Sequence, residues 1–446
     1  MKYFLVFIFS LLSLIIFAED VILSSLKDDR INTLRYGIDD EVVVVINAIK
    51  NEKDYSYNNE LLDILLATSN SKIIVPILDF FAVQESELAT DYTVSMLKKA
   101  VDDYIIDEKV LRASIAYSGT AINVDAAKYL YELSNYKNPA IASEAIRMLA
   151  KTGDNSFSDK FLERLQDDDF DDNETALRES SILLLGELKY KPSVLTLIDI
   201  VQDGSYSIVA RRYACDSLGK IGDEQAIPIL KELLNDSDSI LRSYVITSLA
   251  YFETEEIESI LIQSLRDSFW RIRVAACKAL SDRKTVSAVD ILIYKAEKDP
   301  EANVKKAAIS AIAVIGGDKA WNYISDFITD KKQADVFRAT SIAALLKEEP
   351  VKISDSLKVI FEDEWEKESS WILNYSCKEL STTESGSFQW FYDKMLSHPN
   401  YIIRIYAIRG IRLNNVESLF GKVKDIADNE NENRQLRKEA ASVNNL

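Results

Sequence analysis

The chain repeats itself, and that constrains it more than any other feature. A basic column runs through Arg178, Arg211, Arg242, Arg273, Lys305, Arg338, Arg404 and Arg437, with Trp371 filling one place, at gaps of 31 to 33 residues. Seven residues further on, most copies carry an aliphatic residue: Leu185, Leu218, Leu249, Leu280, Ile312, Leu345 and Ile411. An acidic column runs through Asp167, Asp203, Asp236, Asp267, Asp299, Asp330 and Asp363. Three columns locked together over so many copies are not a chance pattern. A unit this short cannot bury its apolar face alone, so it must stack on its neighbours.

Each unit holds two amphipathic segments of about a dozen residues with apolar positions at i, i+3, i+4 and i+7. The chain has 12 Gly and 7 Pro in 446 residues, too few for the turns of a β-rich fold. The expected fold is all-α: a right-handed α-solenoid of stacked antiparallel helix pairs. Gly219, Gly222 and Gly317 fall in or near turns, where a left-handed residue is often needed. Each Asp of the acidic column is placed to cap or charge-complement the N-terminus of the next helix. The pairs Asp236/Arg242, Asp267/Arg273 and Asp299/Lys305 predict a ladder of ion pairs along the array.

The columns, with the stretch Leu218-Gly219-Lys220-Ile221-Gly222-Asp223-Glu224-Gln225-Ala226-Ile227-Pro228-Ile229-Leu230, resemble the HEAT repeat family, especially the short HEAT-like repeats of phycobilin lyases. The likeness covers Ala140 to Arg437. The Trp-Leu-Gly-Tyr pattern of tetratricopeptide repeats and the Thr-Pro-Leu-His turn of ankyrin repeats do not recur. We divide the chain into a leader at 1–18, divergent helical repeats at 19–139, and regular repeats with a short C-terminal cap at 140–446. In the divergent part Ile73–Leu78 echoes Ala226–Leu230, which places a unit near Asn59–Phe81. Glu41–Ile49 and Asp91–Tyr104 also read as helices.

Met1-Lys2-Tyr3, the apolar run Phe4–Phe17 and then Ala18-Glu19-Asp20 have the layout of a secretory signal peptide. The run is shorter than the ~20 residues of a membrane span. Cleavage after Ala18 and a periplasmic or secreted product are expected, the alternative being an uncleaved N-terminal anchor. The formal charge of −19 repels phosphate backbones and argues against nucleic acid as partner.

Catalytic chemistry is sparse. The single histidine, His398, sits beside Pro399 and reads as a surface residue, which leaves no His-rich metal site and no Ser-His-Asp triad. Cys215 and Cys277 share a column four places after the basic one, filled elsewhere by Ile246, Ile309 and Ile342. They and Cys377 therefore read as buried small hydrophobes rather than disulfide partners. Asp167–Asp172 is acidic enough for Ca²⁺ but lacks the spacing of an EF-hand, and reads as a solvated loop. No cofactor is expected.

In the second helix of each unit, the positions one and five after the basic column vary in polarity and are expected to be exposed. Arg212, Lys278 and Lys306 lie there, and with Tyr213, Lys220, Tyr244 and Tyr251 they form a candidate strip for an acidic protein surface. The leading function is a non-catalytic scaffold for a protein or peptide partner in the cell envelope or outside the cell. The resemblance implies two alternatives: a cofactor-handling enzyme akin to the bilin lyases, and a nucleic-acid-binding repair protein, which charge and leader oppose.

Overall fold

The computed structural model describes residues 28–167, 175–367 and 369–443. The leader and Asp168–Asp172 lie outside them. Every regular element among the described residues is a helix. The chain divides into two compact units, residues 1–229 and 230–446. This boundary falls inside the regular repeats, not at the 139/140 position where the sequence becomes regular.

In unit 1 the second helices are Asp39–Glu52, Ser71–Val83, Glu108–Thr120, Pro139–Thr152, Thr175–Glu187 and Ile208–Ile221, and each packs on the next. First helices such as Asn58–Ala67, Thr90–Val101 and Val194–Gln202 each pack on the second helix that follows. Unit 2 repeats this plan. Its second helices are Ser239–Leu249, Trp270–Asp282, Ala302–Ile315, Asp335–Glu348, Trp371–Leu380, Tyr401–Leu413 and Arg434–Ala441, again in unbroken succession. Its first helices run from Glu255–Ser264 through Val289–Lys298, Asp318–Thr329, Ser354–Glu364 and Gln389–Leu396 to Phe420–Asp428.

The core of each second helix is a stripe starting at the basic column and continuing four and seven residues on. The stripe extends into the divergent part. Val42/Ile46/Ile49, Ile74/Leu78/Phe81, Leu111/Ile115/Ser118 and Ala142/Ile146/Leu149 are all buried. An apolar residue there occupies the arginine's place, which hides the period. The helix Ser71–Val83 thus belongs to the second-helix layer. Its likeness to Ala226–Leu230, a first-helix stretch, reflects a shared Ile-Pro-Ile-Leu composition and not a shared position.

A second register differs from expectation. Trp371 is 55% exposed, while Leu373, Cys377 and Leu380 are buried at the base, fourth and seventh positions. The column member is therefore Leu373, at gaps of 35 and 31. An even gap of 33 selected Trp371 because spacing alone cannot see a two-residue insertion in the preceding loop.

The second helices approach closely because small residues face each other. A Cβ on Gly186 would lie 2.3 Å from the Ser217 Oγ. Gly219 is likewise a buried residue of the last helical turn, not of the connection. Gly222 is the turn residue, left-handed at φ 70°.

Candidate interaction face

The two polar columns build the joints between helices. Arg211 Nε donates to the Val201 carbonyl at 2.8 Å, Arg338 Nε to Ile328 at 2.8 Å, and Arg437 Nε to Ala427 at 3.3 Å. Lys305 Nζ donates to the Glu297 carbonyl at 2.9 Å. These carbonyls close the preceding first helices, whose last C=O groups have no intrahelical partner. A cation there also meets the negative end of the helix dipole. Arg242 and Arg273 reach the Asp236 and Asp267 carbonyls at 2.8 and 2.9 Å. The ladder is present, but its pairing differs from expectation. The arginine takes the carbonyl of the preceding Asp and the carboxylate of the following one: Arg273 is bidentate to Asp299 at 2.8 and 2.6 Å, and Arg242 lies 3.9 Å from Asp267. The carboxylates brace the turn rather than cap the helix. Asp203, Asp236, Asp267, Asp299 and Asp330 each accept the N–H two residues on. The helix caps are later residues such as Ser207 and Asp238.

The potential nucleophiles are sealed. Cys215, Cys277 and Cys377 all have 0% exposure, and the corrected register puts Cys377 in the same column as the other two. Burial pushes the Cys277 thiol up to about 12, with the Asp299 charge adding to it, and raises Cys377 as well. His398 is buried at 7% exposure, not a surface residue. Its Nδ1 accepts the Asn400 N–H at 3.0 Å, and its ring meets Trp365 edge-on at 4.7 Å. The Trp365 ring, from the preceding connection, covers it, which a loop position in the sequence does not show. Burial lowers its pKa.

The expected strip separates into two parts. In unit 1, Arg212 and Tyr213 are half-buried. Lys220 is ion-paired to Glu187 at 2.5 Å and to Asp216 at 2.8 Å. Burial would lower its pKa, but the two carboxylates outweigh burial and raise it. Arg112 is matched in the same way by Glu108 and Glu144. Lys220 and Arg112 are thus answered within the layer, as Arg409 of unit 2 is by Glu439 on the next second helix at 2.9 Å. In unit 2, Tyr251 and Lys278 are exposed, while Tyr244 and Lys306 are half-buried.

The position one after the basic column is not exposed as expected. Arg212, Ser243, Val274 and Lys306 are half-buried and Ile405 is buried. A helix turns by ~100° per residue, so this position points sideways at the neighbouring helix. The positions opposite the core are two before the column and two, five and nine after it. Over the six helices from Ser239–Leu249 to Tyr401–Leu413 these make 24 sites, none of them buried. Asp282 is the one acid among them. Five are cations (Arg271, Lys278, Lys347, Lys378, Arg409) and five are rings (Tyr244, Tyr251, Trp371, Tyr375, Tyr406).

The asymmetry extends to whole helices of unit 2. Its second helices carry fifteen Lys and Arg against five Asp and Glu; the first helices carry seven against fourteen. In a chain of net charge −19 this leaves one face nearly free of carboxylates. Burial of the core stripe fixes this face: positions counted from that stripe, and not local polarity, mark the exposed side. Among the described residues no helix is long and apolar enough to cross a membrane, and no cluster of three or more His, Cys, Asp or Glu could hold a metal ion.

A family model for spirochaete HEAT repeat proteins matches residues 34–443. Among curated proteins, deoxyhypusine hydroxylase of Candida albicans is 29% identical over 86 residues, 19% of this chain and 27% of that protein. The same enzyme of Phaeosphaeria nodorum is 28% identical over 88 residues, 20% of this chain and 27% of that protein. The chain thus matches about a quarter of the length of these relatives. Among solved structures, the complex of CpcE and CpcF of phycocyanin lyase from Nostoc sp. PCC7120 aligns with TM-score 0.36 and 17% identity, over 53% of this chain and 94% of that one. Kap95p bound to RanGDP aligns with TM-score 0.42 and 15% identity, over 86% of this chain and 61% of that one.

Proposed function

Because the chain belongs to the spirochaete HEAT repeat protein family, we propose that it is an exported, non-catalytic scaffold that holds a protein partner on the solvent face of the second helices of unit 2. The observation that carries this reading is the face with one acid in the 24 sites of six consecutive helices, Glu439 being the acid at the equivalent position of the seventh. Selection for solubility alone scatters acids over every exposed face of a protein this acidic. A face that lacks them and presents rings and cations has the composition of a protein contact surface, where Tyr, Trp and Arg supply area and anchoring. The polar columns, thiols and histidine are occupied with holding helices together, which leaves the work of the molecule to its surface. Export rests on the leader-like first 18 residues, with the cell envelope or the exterior as destination.

Site-specific photo-crosslinking in the producing cell tests this. A photoreactive residue in place of exposed Lys278 or Trp371 should capture a discrete protein. The same residue in place of Lys319, exposed on a first helix, should not. Capture from Lys319 alone, or from none of the three, would remove the assignment.

A further inference from the structure

Within that face, one row is apolar where it should be polar. Val336, Trp371 and Ile402 stand two residues before the core column on the consecutive helices Asp335–Glu348, Trp371–Leu380 and Tyr401–Leu413. They are 43%, 55% and 38% exposed. The same position on the three earlier helices of unit 2 holds Ile240, Arg271 and Asn303, of which only Ile240 is apolar, and it is half-buried. Trp371 is backed by Tyr375, the rings stacked at 5.4 Å and 23°, so the indole is held in place rather than loose in solvent. Farther along the same helices stand Lys378 and Arg409, seven residues from the ridge, and Lys347, eleven residues from it; Arg409 is already paired with Glu439 at 2.9 Å. Packed helices lie about 8–10 Å apart, so the stack sets out one apolar row at that spacing with cations on one side of it.

We propose that this apolar ridge, with the cations on one side of it, is the seat of an acidic amphipathic helix of the partner, laid across the three helices. The inference rests on the assignment of this face as the docking surface. A helix rises about 1.5 Å per residue, so side chains seven apart recur at about 10.5 Å and fall on one stripe. Apolar residues at that interval meet Val336, Trp371 and Ile402 in turn. Carboxylates on the adjacent stripe, three or four residues away, face the cations on that side, Lys378 first, with Arg409 shared with Glu439. Charge complementarity selects this occupant. A basic helix would be repelled by these cations. A second copy of the chain is the competing occupant, because its first helices are acidic, and the oligomeric state separates the two.

The test uses the full chain and a synthetic Glu-rich helical peptide of about 21 residues with Leu at every seventh position, labelled for fluorescence anisotropy. A peptide with Lys in place of Glu is the control. The Glu peptide should bind and quench or shift indole emission, and the Lys peptide should not bind. W371A should weaken binding at least tenfold. K347E/K378E should weaken it at least tenfold and flatten its dependence on salt. Because these side chains are exposed, the variants should keep the parent's circular dichroism and melting temperature. Equal binding of both peptides, no binding of the Glu peptide, or undiminished binding to folded W371A would overturn the proposal. So would a concentration-dependent dimer of the chain that W371A abolishes, since the ridge would then seat a second copy. Crosslinks from Lys278 together with a silent Glu peptide would keep the docking face and discard the acidic helix.

Discussion

Arg273 does two things at once. It braces the connection before its helix through the carbonyls of Asp267 and Ser268, and it holds the carboxylate of Asp299, which also has Lys295 at 3.3 Å. Both partners of the main pair are buried, with side-chain exposures of 7% and 0%. Removing one partner leaves a buried charge unanswered, so R273A or D299A should lower unfolding free energy by about 3–5 kcal/mol. R242A should cost about 1–2 kcal/mol, because that side chain is 17% exposed, lies 3.9 Å from its carboxylate and has one carbonyl as its main contact. Denaturant titration checks both. Burial alone would raise the Asp299 pKa, but Arg273, the Glu301 N–H and Lys295 outweigh it, and the carboxyl lies below its ordinary value. A lowered folded pKa stabilises above the unfolded value of about 3.9 and loses that contribution as pH falls through the folded one. The stability difference between the parent and D299N should therefore be constant near neutrality and shrink only in acid; a difference unchanged down to strong acid would contradict the pair. The thiols give a simpler test. With Cys277 at about 12 and all three cysteines buried, a maleimide should label none of them in the native protein and all of them in denaturant.

At the scale of the element, the ends of the second helices show where sequence and backbone disagree. The chain turns there through a left-handed residue. Gly153 and Gly222 take that conformation without strain, but Ile122 takes it at φ 51° after Glu108–Thr120, and Lys189 and Lys284 at φ 50° after their helices. A β-branched residue is the most strained of these. Ile122 is 64% exposed, so little packing would be lost on replacing it. I122G should raise stability by about 1 kcal/mol, the relief of left-handed strain exceeding the added freedom of the unfolded chain. A lowered melting temperature would show that the Ile122 side chain packs more than its exposure indicates. The same elements explain why the first third was hard to read. Val42, Ile74, Leu111 and Ala142 stand where later units have arginine. A period marked by a rare charged residue is visible, whereas one marked by one aliphatic residue among many is not. Trp371 fits an even spacing and Leu373 does not, yet burial puts Leu373 in the core, because the preceding connection is two residues longer.

For the whole molecule, the net charge of −19 conceals its arrangement. Binding at the basic face of unit 2 should weaken as salt rises, although partner and chain attract only over the ~8 Å screening length at physiological ionic strength. Intact-mass measurement on protein from its own cells should show loss of the first 18 residues; a full-length cytoplasmic product would remove the export reading. The 31 to 33 residue period, the helix pairs and the buried thiols were legible in the sequence, because stacking demands the same apolar stripe from every unit and repetition makes that demand visible. The direction of the arginine contacts, the burial of His398 and the stripe that faces solvent were not. Each depends on what the neighbouring helix covers: a residue ~100° from the core stripe reads as variable in sequence but lies half under its neighbour, and only the packed layer separates it from a residue pointing into water.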